Sequence, residues 1–74
     1  MSKTLDKKYQ KDFGKNLRKF RLAKKLSQHE LALDAGLDKN VVGNIERGES
    51  NPQITTVKSL ARVLEIHPKE LLDF

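Results

Sequence analysis

Gly36, Gly48, Pro52 and Pro68 punctuate this 74-residue chain so closely that only short helices fit between them. Glycine ends helices in a left-handed residue, and proline is tolerated only in a first turn. No segment sustains an alternation of β-branched residues, so strands are not expected. A chain of this length forms one domain and buries only about 60% of its unfolded surface. Several short helices must therefore share one economical core.

The apolar spacing places them. From about Lys11 to Lys24, Phe13, Leu17 and Phe20 recur at i, i+4 and i+7, one apolar stripe on a basic helix. Ser27 followed by Glu30 is a capping box, which starts a second helix carrying Leu31, Ala32 and Ala35 inward until Gly36. Asp38 is a good N-cap for a third helix, reaching about Arg47 and ended by Gly48. Asn51-Pro52 marks a turn. Thr55 is the expected cap of a fourth helix, with Val57, Leu60, Ala61 and Leu64 as its apolar face. His67-Pro68 opens a fifth, with proline at the favoured first position. The fold class is all-α, five helices around one core. Residues 1–10 read as a basic arm, flexible or continuing the first helix, and residues 11–74 as the domain.

Charge narrows the partner. Fifteen Lys and Arg against ten Asp and Glu give a net +5. Residues 1–25 hold ten basic and two acidic side chains, a local +8, and the remainder is a local −3. A basic half on a small domain suits a polyanion. An anionic membrane is the less suitable one, because Phe13, Leu17 and Phe20 are needed by the core and are lost to lipid. Cysteine is absent, which excludes a disulfide framework and Cys-containing zinc sites. No apolar run approaches the roughly 18 residues of a membrane span, and Met1–Lys8 is not followed by a signal-like apolar stretch. An intracellular, cytoplasmic protein associated with the nucleoid is expected.

The second and third helices, joined by a very short glycine turn, have the layout of a helix-turn-helix, whose second helix enters the major groove of DNA. At about 100° per residue, Val41, Val42 and Ile45 cluster on one side of the third helix. Lys39, Asn40, Gly43 and Asn44 fall on the other, and none of them is acidic. Asn can pair bidentately with adenine and Lys can donate to guanine. Gly43 costs about 1 kcal/mol relative to alanine in a helix, which fits a backbone that something must approach closely.

Leu26-Ser-Gln-His-Glu-Leu-Ala, Ala35-Gly-Leu and Val42-Gly-Asn-Ile-Glu-Arg-Gly resemble the Xre/Cro-type helix-turn-helix family of phage repressors and bacterial regulators. The likeness runs through Asn51-Pro52 and Leu60-Ala-Arg-Val-Leu to Leu71-Leu72, and the motif itself spans 28–47. Within the family, the short chain looks most like restriction–modification controller proteins or a Cro-like repressor. The resemblance implies a lambda-repressor-like fold and assigns roles. Lys39, Asn40 and Asn44 fall on base-reading positions. Gln28, Arg47 and Asn51 fall on positions that touch the sugar–phosphate backbone. Arg21 and Glu46 match a structural ion pair. Asp38, acidic near a helix start, is read as a cap and not a contact.

Other chemistries lack their residues. His29 and His67 have no second ligand at metal spacing and fit surface or capping roles, so neither a metal nor another cofactor is expected. Ser27 near His29 lacks a third group, and no carboxylate pair or phosphate-cradling loop accompanies it. Catalysis is not expected. RNA is disfavoured by the lack of aromatic stacking platforms. The expected function is a transcriptional regulator that occupies a double-stranded DNA operator as a homodimer, blocking or recruiting RNA polymerase. An antitoxin-like interaction module is the alternative. Dimers of this type read palindromes. Ile66, Leu72 and Phe74 are more apolar residues than a terminal helix needs beside Leu71, and are the expected dimer interface.

Overall fold

The computed structural model describes residues 3–74, and these form five helices with no strand among the described residues. They are α1 (Lys3–Ala23), α2 (Gln28–Asp34), α3 (Val41–Glu46), α4 (Ile54–Leu64) and α5 (Pro68–Leu71). Helix α1 includes Lys3 to Gln10 of the segment 1–10 read as an arm, whose first two residues lie outside the described residues. The expected stripe is the spine of the core. Phe13 and Leu17 are buried, Phe20 is half-buried, and they pack against Leu31, Val42, Ile45, Leu60, Leu64 and Leu71. No described helix is long and apolar enough to cross a membrane.

Caps set the boundaries. Ser27 Oγ accepts from Glu30 N at 3.0 Å while Glu30 Oε1 accepts from Ser27 N at 2.8 Å, the reciprocal box expected. Those bonds, being stronger to the ionised form, hold the Glu30 carboxyl below its ordinary pKa. His67 caps α5, its Nδ1 accepting from Lys69 N and Glu70 closing a second box. Gly36 and Gly48 take the left-handed conformation that ends α2 and α3, with φ of 72° and 74°. Leu37 N then donates to Ala32 O at 2.8 Å, and Glu49 N to Asn44 O at 2.9 Å.

Two starts and two ends differ from expectation. Helix α3 begins at Val41, not after Asp38. Asp38 does cap, but it caps a turn: Oδ1 accepts from Asn40 N and its carbonyl from Val41 N, both at 3.0 Å. The helical ladder starts only with Asn44 N donating to Asn40 O. Thr55 is not the cap of α4, because Pro52 leads an extended Gln53 straight into the ladder and Val57 N already donates to Gln53 O. Lys25 and Glu65 end α1 and α4 in the left-handed region, with φ of 59° and 58° and no glycine to signal it.

Two α1 residues fix the other helices. Gly14 lies under the last turn of α3, where a Cβ would press on Ile45 O and come within 2.8 Å of Glu46 O. Only glycine permits that approach. Asn16, buried, donates from Nδ2 to Glu70 O and Leu71 O at 2.9 Å each, closing the end of α5.

Candidate nucleic-acid interface

Helix α3 has only six residues, and a helix that short does not persist on local bonds alone. Tertiary contacts hold it. Val42 and Ile45 are fully buried in the core, and Gly14 clamps its last turn from α1. Glu46 is fixed by Arg21, whose Nε and Nη2 donate to the two carboxylate oxygens at 2.6 and 2.9 Å. Arg21 Nη1 also donates to Leu26 O at 2.8 Å, at the entrance to α2. The bidentate bond to Glu46, opposed by partial desolvation, raises the Arg21 pKa further. Gln28 completes the network, its Nε2 donating to Glu46 Oε1 at 3.0 Å. The expected ion pair is present and also joins the start of α2 to the end of α3.

With its inner side fixed, α3 leaves Val41, Asn44 and Glu46 half-buried, and the exposed polar side chains stand just before and after it. Lys39 and Asn40 are exposed in the turn before α3, and Asn44 is half-buried one turn further on. Asn44 Oδ1 accepts from Arg47 Nη2, and Arg47 Nε lies 3.1 Å from Glu49 Oε1. Asn51 is exposed in the loop beyond. Lys39, Asn40, Asn44, Arg47 and Asn51 are thus carried on the turn before α3, on α3 itself and in the loop that follows it.

Gly43 does not belong in that set. It is buried, and a Cβ on it would lie 3.1 Å from Arg47 Nη1 and 3.2 Å from Gln28 Oε1. The close approach that glycine allows is made by these two side chains, so the chain itself accounts for the residue. Ile66, expected at the dimer interface, packs partly inward. It is half-buried and packs on the core between α4 and α5. Leu72 and Phe74 are exposed, at 58% and 55%, with Phe74 edge-on to Phe13 at 6.3 Å between ring centroids. Tyr9, Pro52, Ile54 and Pro68 join them around an apolar groove of about 360 Å³. Tyr9 and Ile54, both exposed, give no sign in the sequence that they meet the C-terminus. No cluster of metal-ligating side chains occurs among the described residues.

The same arrangement recurs in known proteins. The helix-turn-helix family model matches residues 17–71. The control protein C.BamHI of Bacillus amyloliquefaciens is 36% identical over 63 residues, covering 84% of this chain and 78% of that protein. The control protein C.SmaI of Serratia marcescens is 36% identical over 59 residues, 80% of this chain and 70% of that one. The crystal structure of the restriction-modification controller protein C.AhdI from Aeromonas hydrophila superposes with a TM-score of 0.82 at 45% identity, over 84% of this chain and 94% of that one. The chain belongs to the helix-turn-helix family.

Proposed function

We propose that this chain is a sequence-specific double-stranded DNA-binding transcriptional regulator that occupies an operator as a dimer, and by its placement blocks or recruits RNA polymerase. One observation carries the reading. Lys39 and Asn40, exposed in the turn before α3, and Asn44, half-buried on it, stand beside a helix pinned on its other side, with no carboxylate in 39–45. Such side chains suit base edges in the major groove. Gln28 keeps a second amide hydrogen for a phosphate while bonded to Glu46. Arg47 and Asn51 serve the backbone on the far side. Controller proteins among the relatives support a regulatory role of the same kind.

The dimer answers a shortage of information, since one recognition helix contacts too few base pairs to select a genomic site. Its interface is the apolar groove with Tyr9, Ile54, Leu72 and Phe74, which lies apart from Lys39 and Asn44. Selection of bound duplexes from a random pool tests the whole reading. The expected product is a palindrome with half-sites about one DNA turn, roughly 34 Å, apart. A pool that never converges overturns sequence-specific binding. Sedimentation of the wild type and of Leu72→Asp with Phe74 removed tests the interface. The wild type should double in mass with concentration, and the variant should stay a folded monomer.

A further inference from the structure

One charged feature of α1 is left over by the readout face. Lys7, Lys11, Gly14 and Arg18 follow the i, i+4, i+7, i+11 spacing and form a single row along the helix. Gly14, within the row, is the point where the end of α3 crosses. Lys11 lies against Gly48, with its Cα 3.1 Å from where a Cβ on that glycine would stand. Gly48 directly follows Arg47. The row therefore presents Lys7 and Lys11 on one side of the recognition helix's end and Arg18 on the other.

The three side chains are exposed, and none has a carboxylate partner among the described residues. Their neighbours differ. Lys8 is held by Asp12 at 2.8 Å, Lys24 by Glu65 at 2.7 Å, and Lys19 sits over the Phe20 ring at 4.8 Å. Lys7 to Arg18 spans about 16 Å at 1.5 Å per residue. One DNA strand presents about five phosphates over that length, at roughly 3.4 Å of axis each. Spaced, unneutralised cations suit a repeating phosphate chain better than a single acidic group, and their place beside Arg47 adjoins the proposed backbone contact.

We propose that Lys7, Lys11 and Arg18 form a second DNA contact, holding sugar–phosphate backbone that flanks the groove entered by α3. This rests on the DNA-binding reading above. The test compares Lys7→Gln/Lys11→Gln/Arg18→Gln with Lys24→Gln/Arg62→Gln/Lys69→Gln, which removes equal charge from exposed positions outside the row and outside the apolar groove. Both are titrated with a mixed-sequence duplex at rising salt. The α1 variant should lower the slope of log affinity against log salt by about two to three units, and the matched variant by less than about one. Lys7→Arg/Lys11→Arg should keep the wild-type slope. If the triple variant melts early, Lys7→Gln and Arg18→Gln alone should each lower the slope by about one unit. An unchanged slope in the α1 variants, with the wild type binding, overturns this contact and leaves the regulator reading standing. Equal losses in both triple variants also overturn it, since net charge alone would then explain them. A wild type that binds no duplex overturns both readings.

Discussion

Arg21→Met isolates the bond that sets the angle of the recognition helix. The Arg21 residue is 7% exposed, and its guanidinium makes three hydrogen bonds, two to Glu46 and one to Leu26 O. Methionine keeps much of the packed volume but leaves the Glu46 carboxylate, 5% exposed, with Gln28 alone. Removing one partner of a buried pair costs about 3–5 kcal/mol, mainly through the orphaned charge. A 74-residue domain has a total stability of about 4–11 kcal/mol, so from about a quarter to all of it is at stake. At about 2.1 cal/mol/K per residue, each kcal/mol lowers the melting temperature by about 6 °C, a fall of roughly 20–30 °C. Circular dichroism melting reads this directly. Arg21→Met/Glu46→Leu should recover most of the loss, because no charge is then left buried. A single variant melting within a few degrees of wild type, or a double variant no better than the single, refutes the reasoning.

Gly14→Ala should lower stability by about 1–3 kcal/mol through overpacking against the α3 carbonyls, even though alanine favours helix; an unchanged or raised melting temperature would contradict the close approach. Asn16→Ala should lose about 1–3 kcal/mol in urea denaturation by orphaning the Glu70 and Leu71 carbonyls, and no loss would mean water replaces the amide. Glu30 has a folded pKa below its unfolded value of about 4.3, so its contribution is present above that pH and lost as pH falls through the lowered folded value. The stability gap between wild type and Glu30→Gln should therefore close in acid, and a gap constant from neutral to acid pH would deny the capping bond. Asn40→Ala and Asn44→Ala should each weaken binding to the selected duplex by about 1–3 kcal/mol and barely alter binding to a scrambled one; equal losses on both duplexes would remove them from base readout.

The elements with strong local signals were legible. The Ser27–Glu30 box, the glycines at 36 and 48 and the His67-Pro68 start all stand in the structure as local chemistry requires. The ends at Lys25 and Glu65 were not legible as left-handed, because lysine and glutamate adopt that conformation only under tertiary pressure. Gly43 was misread for a related reason. Periodicity places a residue on a face of its own helix but does not say that a neighbouring helix covers that face, as Gln28 of α2 does here. Gly14 and Asn16 carried no signal of their own. Their roles exist only once α1 meets the backbone of α3 and α5.

A six-residue helix on a small domain has little stability of its own, so the orientation of the readout face is a property of what surrounds it. Arg21, Gly14 and Lys11 all reach the last turn of α3 or the glycine after it from a single 21-residue helix. The basic first third of the chain and the last turn of α3 are therefore joined by direct contacts. Arg21 and Gly14 fix the angle of α3, while the exposed side chains of Lys7, Lys11 and Arg18 flank Gly14 along the same row of the helix, with Lys11 against Gly48 in the loop that follows α3. The charge asymmetry of the sequence, +8 in 1–25 against −3 beyond, thus falls on the helix that packs against the end of α3.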